Sequence, residues 1–246
     1  MGQSSFRFQQ FEIHQDQCAM KVGTDGVLLG AWACRGISED AKIRILDVGT
    51  GTGLVALMLA QRFKNALVDA IEIDNSTGHQ ALENVAHSPF ACRVNVMIES
   101  LQQWYRSVGA LRSKYDVVVS NPPYYDQSLK NPDAKRALAR HTDTLSFREL
   151  FQCTSGLLTF SGRCFFIIPI EALSVVRAEA NWAGLNLEEF CGVRTVPSKP
   201  IRRCLLSFSK QRPISIIKSE QMLCMSDGSR SSWYEELTRN FYLPRP

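Results

Sequence analysis

Short apolar runs alternate with helical stretches through the middle of the chain. Five near-continuous runs rich in β-branched residues predict strands, at Ile43–Val48, Leu67–Ile73, Val94–Ile98, Tyr115–Val119 and Cys164–Ile168. Apolar positions three and four residues apart predict helices between them, at Leu54–Phe63, Ser76–Ala86 and Phe147–Leu158. Strands that are apolar on both faces are typical of a parallel sheet covered by helices. The pattern therefore predicts an α/β fold.

The segment before these strands has a different pattern. Residues 1–42 contain a short β-like pair, Phe6–Phe8 and Phe11–His14, followed by a helix over Thr24–Cys34. Thr24 is the expected N-cap of this helix, because a threonine side chain can accept a hydrogen bond from the first turn. We interpret the segment as an N-terminal extension that packs on the rest of the chain.

The last quarter of the chain differs again. Residues 185–218 alternate in polarity around three prolines, which favours antiparallel strands that close the sheet. Trp233–Tyr242 predicts a terminal helix. Because no low-complexity linker interrupts the sequence, we expect residues 43–246 to form one domain.

Composition narrows the class of protein. The chain has 246 residues, of which 45% are hydrophobic and 21% are charged, as in an ordinary soluble domain. Apolar runs such as Cys164–Ile170 are too short to span a bilayer. The eight cysteines lie at least 11 positions apart, so neither a C-x-x-C motif nor a zinc-ligand pair is present. We therefore expect a cytoplasmic protein with reduced thiols, no metal and no membrane segment.

Basic residues are concentrated in the second half of the chain. The net charge is +4; residues 1–125 carry −1 (11 basic, 12 acidic) and residues 126–246 carry +5 (17 basic, 12 acidic). The stretch Arg194–Lys218 contains seven basic residues and no acidic residue: Arg194, Lys199, Arg202, Arg203, Lys210, Arg212 and Lys218. Such a run is either a solvated face or a surface for an anionic partner, and charge alone leaves both open.

A glycine-rich loop follows the first strand of the predicted sheet. Asp47-Val48-Gly49-Thr50-Gly51-Thr52-Gly53 places three glycines where the chain turns into a helix and a ligand can approach the backbone. The spacing is G-x-G-x-G rather than the dinucleotide fingerprint G-x-G-x-x-G, and a P-loop motif is absent. Glu72 lies at the carboxyl end of the second strand, where a carboxylate can bind both hydroxyls of a ribose. Loop and acid together predict a nucleoside cofactor other than NAD or FAD.

An Asn-Pro-Pro-Tyr sequence follows the fourth predicted strand, at the edge where open α/β sheets bind ligands. Prolines fix φ and donate no hydrogen bond, so the side-chain oxygen of Asn121 and the carbonyl of Pro122 can accept both hydrogens of an exocyclic amine. Pro123 completes the rigid turn, and Tyr124 can stack on a base. The motif specifies a planar nitrogen as the acceptor but does not specify the substrate.

The glycine loop, Glu72 and the Asn-Pro-Pro-Tyr sequence together resemble the class I S-adenosylmethionine-dependent methyltransferases, among them those that act on adenine N6, guanine N2 or protein glutamine. The resemblance implies a Rossmann-like, mostly parallel seven-stranded sheet with helices on both faces and an antiparallel edge strand. It also implies that Asp47 meets the methionine moiety of the cofactor, that Gly49, Gly51 and Gly53 line it, and that Glu72 holds the ribose.

The contact to the cofactor adenine stays open. The family commonly has an acidic residue after the third strand, and the matching place in this chain is Ser100, with Glu99 just before it. Glu99, Ser100 or a backbone group could therefore make this contact.

Three further segments resemble the bacterial tRNA(Val) adenine-N6 methyltransferases, which modify the adenosine 3′ of the anticodon. These segments are Cys18–Trp32, Ala139–His141 with Leu145, and Leu237–Leu243. The resemblance implies that Asn121–Tyr124 hold the target adenine and that four residues fold over S-adenosylmethionine: Lys21, Gly23, Thr24 and Asp25.

A tRNA partner would use the basic second half of the chain. The loop Gln127–Thr142 carries a net charge of +3, and Arg194–Lys218 would track the phosphates. The expected RNA-binding residues are Lys130, Lys135, Arg136, Arg140, His141, Arg194, Lys199, Arg202 and Arg203. The alternatives are N5-methylation of glutamine in a protein such as a release factor, and a cofactor-binding RNA module without catalysis. We expect a monomer.

Overall fold

The structure, a computed structural model, describes residues 5–16, 18, 21–108, 114–122 and 145–244. These residues include ten strands and seven α-helices. The strands are β1 (Ser5–Arg7), β2 (Glu12–His14), β3 (Arg44–Val48), β4 (Leu67–Glu72), β5 (Val94–Ile98), β6 (Tyr115–Ser120), β7 (Leu158–Pro169), β8 (Asn186–Arg194), β9 (Arg203–Ser209) and β10 (Ile217–Met222). The helices are α1 (Thr24–Trp32), α2 (Leu54–Arg62), α3 (Asn75–Ala86), α4 (Leu101–Ser107), α5 (Phe147–Leu157), α6 (Leu173–Trp182) and α7 (Ser232–Thr238).

Eight of these strands form one sheet, in the order β5-β4-β3-β6-β7-β9-β8-β10. Every pair is parallel except the two made by β9, which runs antiparallel to β7 and β8. Alternate residues of the strands face two separate apolar clusters: Ile45 and Val117 face one, and Leu46 and Val118 face the other. Helices α1, α2, α3 and α7 cover the first cluster, and α4, α5 and α6 cover the second. The α/β architecture with helices on both faces is confirmed.

The observed sheet differs in two ways from the expected one, which had seven strands and an antiparallel strand at its edge. The antiparallel strand β9 is interior, and its residues from Cys204 to Ser209 are all buried between β7 and β8. The edge strand is an eighth one, β10, and it is parallel to its neighbour. Its sequence, from Ile217 to Met222, is mostly polar because it lies at the margin of the sheet, so it lacks the apolar pattern by which strands are recognised.

Helix α1 packs closely against α2. A β-carbon on Gly26 would lie 3.0 Å from Leu54 Cδ2, and one on Gly30 would lie 2.7 Å from Met58 Sδ. Glycines four positions apart therefore let the two helices approach side by side, with both first turns at the same end of the sheet. The N-cap of α1 is Gly23 and not Thr24, because Gly23 is the last residue in extended backbone and no side chain caps the helix.

The hairpin of β1 and β2 packs against the far end of the chain. The side-chain amide of Gln9 donates hydrogen bonds to the carbonyls of Arg239 (2.7 Å) and Tyr242 (2.6 Å). Phe8 is buried and stacks on the ring of Tyr242, with centroids 5.9 Å apart. Phe8 also belongs to the apolar cluster that α1 and α2 share with the sheet. Among the described residues, no helix is long and apolar enough to cross a membrane.

Candidate active site

The parallel register of the central strands brings the predicted site residues to one edge of the sheet. Val48 of β3 is paired with Ile71 of β4 and with Ser120 of β6. The residues that follow these three therefore lie level with one another, and they are Gly49, Glu72 and Asn121. The glycine loop, the acidic strand end and the start of the Asn-Pro-Pro-Tyr sequence meet at the carboxyl edge, where open α/β sheets bind ligands.

The glycine loop has backbone conformations that other residues rarely adopt. Gly49, Gly51 and Gly53 have φ values of +68°, +60° and +85°. Around Gly49 and Gly51 the loop faces open space, since a β-carbon on either would have no heavy atom within 4 Å. The amides of Gly49 and Thr50 donate to the carbonyl of Ile71 over 2.9 and 3.0 Å, which fixes the loop against β4. The loop thus forms an open cradle that a ligand can enter.

Asp47 is a buried carboxyl group beneath this loop. Its side chain is 1% exposed, and Oδ2 accepts hydrogen bonds from the hydroxyl of Thr50 (2.6 Å) and the amide of Ala56 (3.1 Å). No group among the described residues donates a hydrogen bond to the other oxygen, Oδ1. Burial raises the pKa of Asp47 to about 7, despite the two donors that favour its charged form. A buried carboxyl group with one unused oxygen suits a cationic ligand group such as the ammonium of a methionine moiety.

Glu72 is fixed by two backbone amides at the end of β4. Oε2 accepts from the amide of Gly51 over 2.9 Å, and Oε1 accepts from the amide of Asp74 over 3.0 Å. Asp74 is itself the N-cap of α3 and accepts from the amide of Thr77 over 2.8 Å. Each carboxylate oxygen of Glu72 keeps further acceptor capacity, so the group can hold the two hydroxyls of a ribose while it holds the loop.

Ser100 is the N-cap of helix α4. Its hydroxyl accepts from the amide of Gln103 (3.2 Å), and its amide donates to Gln103 Oε1 (3.1 Å), which together form a capping box. Glu99 directly precedes Ser100. Because Ile98, the residue before Glu99, is paired with Glu72, Glu99 lies at the same carboxyl edge of the sheet as Glu72. Because both polar groups of Ser100 serve the helix, Glu99 is the better placed of the two for a ligand adenine.

Asn121 follows a strand end that is tied to the glycine loop. The buried hydroxyl of Ser120 donates to the carbonyl of Val48 over 2.8 Å and so holds the ends of β6 and β3 together. Asn121 is half-buried and Pro122 is buried at this junction. The remaining predicted residues of this region lie outside the described residues; they are Pro123, Tyr124, Lys130, Lys135, Arg136, Arg140 and His141.

The segment that precedes α1 is anchored by side chains that the sequence pattern did not single out. The side-chain oxygen of Gln15 accepts from the amide of Val22 over 2.7 Å. Asn84 is buried on α3; its side chain pairs with both backbone groups of His14 (2.8 and 2.9 Å) and donates to the carbonyl of Thr52 (2.9 Å). One side chain thus joins the N-terminal segment to the glycine loop. No sequence signal marks a buried asparagine of this kind.

Residues Lys21–Asp25 lie at the carboxyl edge as well. Lys21 is exposed, Gly23 and Thr24 open α1, and the carboxylate of Asp25 pairs with Arg203, with 2.7 Å between Oδ2 and Nε. Gly26 comes next and packs on Leu54, the first residue of α2 after the glycine loop. The structure therefore places this segment beside the cradle.

The basic run does not form one surface. Because β9 is antiparallel, its start at Arg203 lies at the carboxyl edge, whereas Ser209 at its end is paired with Asn186 at the opposite edge. Lys210 and Arg212 follow Ser209, and Lys210 donates to the carbonyl of Leu158 over 2.7 Å. The run is therefore divided between the two edges of the sheet, and only its first part lies at the edge that carries the site.

The four basic residues predicted to bind RNA within this run are all near the carboxyl edge, but two are engaged within the fold. Arg194 forms an ion pair with Glu220, and Arg203 pairs with Asp25. Lys199 and Arg202 are exposed, in the connection between β8 and β9. They are the residues of the run best placed for an anionic partner at the site. In the part of the chain that the structure describes, no cluster of three or more His, Cys, Asp or Glu residues could hold a metal ion.

Comparison with known proteins gives relatives over the whole chain. Residues 34–145 match the family model of the methyltransferase small domain. The tRNA1(Val) (adenine(37)-N6)-methyltransferase of Bacteroides fragilis is 45% identical over 99% of both chains. The protein of the same name from Parabacteroides distasonis is 43% identical, also over 99% of both chains.

Solved structures share the fold at low sequence identity. A predicted O-methyltransferase from Agrobacterium tumefaciens superposes with a TM-score of 0.69 at 17% identity, over 90% of this chain and 99% of that one. TYW2 of M. jannaschii in complex with AdoMet gives a TM-score of 0.55 at 13% identity, over 86% and 89% of the two chains.

Proposed function

The chain belongs to the tRNA1(Val) (adenine(37)-N6)-methyltransferase family, and from this premise we propose that it methylates the adenosine 3′ of the anticodon of tRNA(Val). The methyl group passes from S-adenosylmethionine to the exocyclic N6 of the base. The observation that carries the proposal is the meeting of Asp47, the glycine loop, Glu72 and Asn121 at one sheet edge. This edge combines a cofactor cradle with acceptors for an amine.

The residues at this edge fit S-adenosylmethionine, which when bound supplies an electrophilic methyl group on a sulfonium. Asp47 binds the ammonium of the methionine moiety through its unused oxygen, and Glu72 accepts from the ribose hydroxyls. Glu99 accepts from the amino group of the cofactor adenine. Gly49, Gly51 and Gly53 line the cradle, and residues Lys21–Asp25 close over it.

Asn121 and Pro122 orient the acceptor amine. The side-chain oxygen of Asn121 and the carbonyl of Pro122 would accept the two N–H hydrogens, which favours a tetrahedral nitrogen whose lone pair faces the methyl group that S-adenosylmethionine would supply. In this proposal Pro123 and Tyr124 also serve the target adenine, Tyr124 by stacking on it. The amine would release one proton on methylation, and no catalytic base is assigned to it. Orientation of this kind contributes up to ~7–11 kcal/mol to such reactions, so a metal is not needed.

The anticodon loop suits this site because its bases are unstacked more easily than those of a duplex. Lys199 and Arg202 contact phosphates next to the site, with the loop residues Lys130, Lys135, Arg136, Arg140 and His141. The protein acts as a monomer in the cytoplasm. Residues 1–42 form an extension that completes the cofactor site of the domain at 43–246.

Incubation with labelled S-adenosylmethionine and unmodified total tRNA, followed by nucleoside analysis, tests this function. Label should appear as N6-methyladenosine in a tRNA(Val). Label that enters only a protein glutamine would contradict the RNA assignment and favour the glutamine methyltransferases. Cofactor binding without transfer to RNA or protein would indicate a binding module.

The variant Asn121→Ala tests the amine acceptors. It should lower the rate of methyl transfer by roughly 2–4 kcal/mol of transition-state stabilisation and leave cofactor binding intact, because an oriented polar group is lost. Near-normal turnover of this variant would refute the role of Asn121.

A further inference from the structure

Arg203 turns away from the other basic residues of its run and toward α1. Its Nε donates to Asp25 Oδ2 over 2.7 Å, and its Nη1 donates to the carbonyl of Arg202 over 3.2 Å. The side chains of Arg203 and Asp25 are 37% and 26% exposed. The ion pair is therefore partly shielded from solvent, and both ends of the Arg203 guanidinium bond to the protein itself.

This ion pair involves the first turn of α1, which packs beside the helix that follows the glycine loop. Arg203 is paired in the sheet with Pro169 and Val193, close to the carboxyl ends of β7 and β8. Asp25 is in the first turn of α1, and the residue after it packs on Leu54, which directly follows the glycine loop. A shift of the first turn of α1 would therefore change the wall of the cradle.

The same segment has a second set of anchors at its other end. Asn84 ties His14 to Thr52 of the glycine loop, and Gln15 holds the amide of Val22. The chain between His14 and Asp25 is thus attached to the glycine loop at one end and to β9 at the other. Among the described residues of this segment, Asp25 joins it to the C-terminal half of the sheet through the ion pair with Arg203.

We propose that Arg203 is a positioning residue for the cofactor: its ion pair with Asp25 holds residues Lys21–Asp25 over the cradle. Arg203 therefore determines the affinity for S-adenosylmethionine and does not serve as a phosphate contact for tRNA. The neighbouring Arg202 is exposed and takes the phosphate role. This inference rests on the proposed function, because it assumes that the cradle holds this cofactor.

Four full-length variants separate these roles, and Arg203→Lys is the conservative one among them. Arg203→Gln removes the ion pair. Arg163→Gln is the matched control, because Arg163 forms a similar ion pair with Glu188 (2.8 Å, side chains 27% and 22% exposed) six residues before Pro169 on β7. This distance along a strand is roughly 20 Å, so the control lies far from the cradle. Arg202→Gln removes a basic residue at the site edge that is outside the ion pair.

The dissociation constants for S-adenosylmethionine and for unmodified tRNA are measured by calorimetry and filter binding, with thermal denaturation of each variant. Arg203→Gln should weaken cofactor binding about three- to five-fold, the upper part of the range for exposed ion pairs, because this pair is partly shielded, and it should leave tRNA binding within two-fold. Arg163→Gln should lower the melting temperature without changing cofactor binding. Arg202→Gln should weaken tRNA binding alone. Arg203→Lys should recover part of the lost cofactor affinity, since the charge is kept.

Weaker tRNA binding with unchanged cofactor binding in Arg203→Gln would overturn the proposal and return Arg203 to the RNA surface. A lower melting temperature with both affinities unchanged would also overturn it, because the ion pair would then only stabilise the fold. If the wild-type protein does not bind S-adenosylmethionine, the proposed function itself fails, and this outcome is separate from the first two.

Discussion

Replacement of Asp47 by asparagine should remove the pH dependence of stability that Asp47 causes, and it should weaken cofactor binding. The two donors to Asp47, Thr50 and Ala56, both bond to Oδ2, so the amide oxygen of an asparagine can accept from both. The amide nitrogen would then occupy the place of Oδ1, where no described group bonds.

The gain from this replacement depends on pH. Burial raises the pKa of Asp47 from its ordinary value of 3.8 to about 7, so the folded protein retains a proton that the unfolded chain has lost over this interval. The free energy of unfolding therefore falls as pH rises from about 4 to about 7, by about 4 kcal/mol in all and by about 3 kcal/mol between pH 5 and pH 8. Asparagine does not titrate, so the free energy of unfolding of the variant does not fall for this reason as pH rises.

Urea denaturation of the cofactor-free proteins at pH 5 and pH 8 measures the effect. The quantity compared is the free energy of unfolding of Asp47→Asn minus that of wild type. This difference should be about 3 kcal/mol larger at pH 8 than at pH 5, in favour of the variant. Its dissociation constant for S-adenosylmethionine should rise about 10- to 100-fold, because a charged hydrogen-bond partner is lost. A stability difference that is the same at both pH values would refute the buried, neutralised carboxyl group.

Asp69 provides a control of opposite sign. Burial acts to raise its pKa, but the hydroxyl of Tyr115 (2.7 Å), the ammonium of Lys114 and the amide of Asn95 outweigh burial and lower it overall. A carboxyl group whose pKa is lowered by folding stabilises the folded protein at pH values above its pKa in the unfolded chain. This stabilisation is lost in acid. Asp69→Asn should therefore be destabilising at pH 8 and less so below pH 4.

Three further predictions follow from the fold and the site. Gly51→Ala should cost about 1–2 kcal/mol of stability, measured by urea denaturation, because φ is +60°, and should weaken cofactor binding because the β-carbon enters the cradle. Arg93→Ala should cost about 2–3 kcal/mol of unfolding free energy with an unchanged cofactor dissociation constant, since its guanidinium donates to the carbonyls of Ala60, Phe63 and Ala66 at the end of α2. The logarithm of tRNA affinity should fall with the logarithm of salt concentration at a slope of about −3 if about four phosphates are neutralised, and an affinity independent of salt would contradict RNA binding.

The central strands and the glycine loop could be predicted because their patterns are local. The predicted strand Val94–Ile98 matches β5 at both ends, and the predicted start of α2 at Leu54 is confirmed, since buried strands and glycine turns leave plain signals. Helix α4 was missed, although Ser100 and Gln103 have the spacing of a capping box. Its seven residues are too few for a clear helical period.

The positions of the charged and buried polar groups depend on the tertiary fold. The sequence suggests one basic surface that includes Arg194, Arg203 and Lys210. Because β9 runs antiparallel, Lys210 lies the length of a strand away from the other two. Asn84 lies 32 positions from Thr52 and 70 from His14, so its bridging role depends on the packing of α3 against the loop. Contacts of this kind exist only once the chain has folded.

Methylation of two defined transcripts tests the central claim most directly. Unmodified tRNA(Val) transcripts that differ only at the nucleotide 3′ of the anticodon, adenosine in one and guanosine in the other, are incubated with S-adenosylmethionine and analysed for modified nucleosides. We expect N6-methyladenosine in the first transcript and no methylation of the second. Methylation of both transcripts, or of neither by a protein that binds the cofactor, would contradict it.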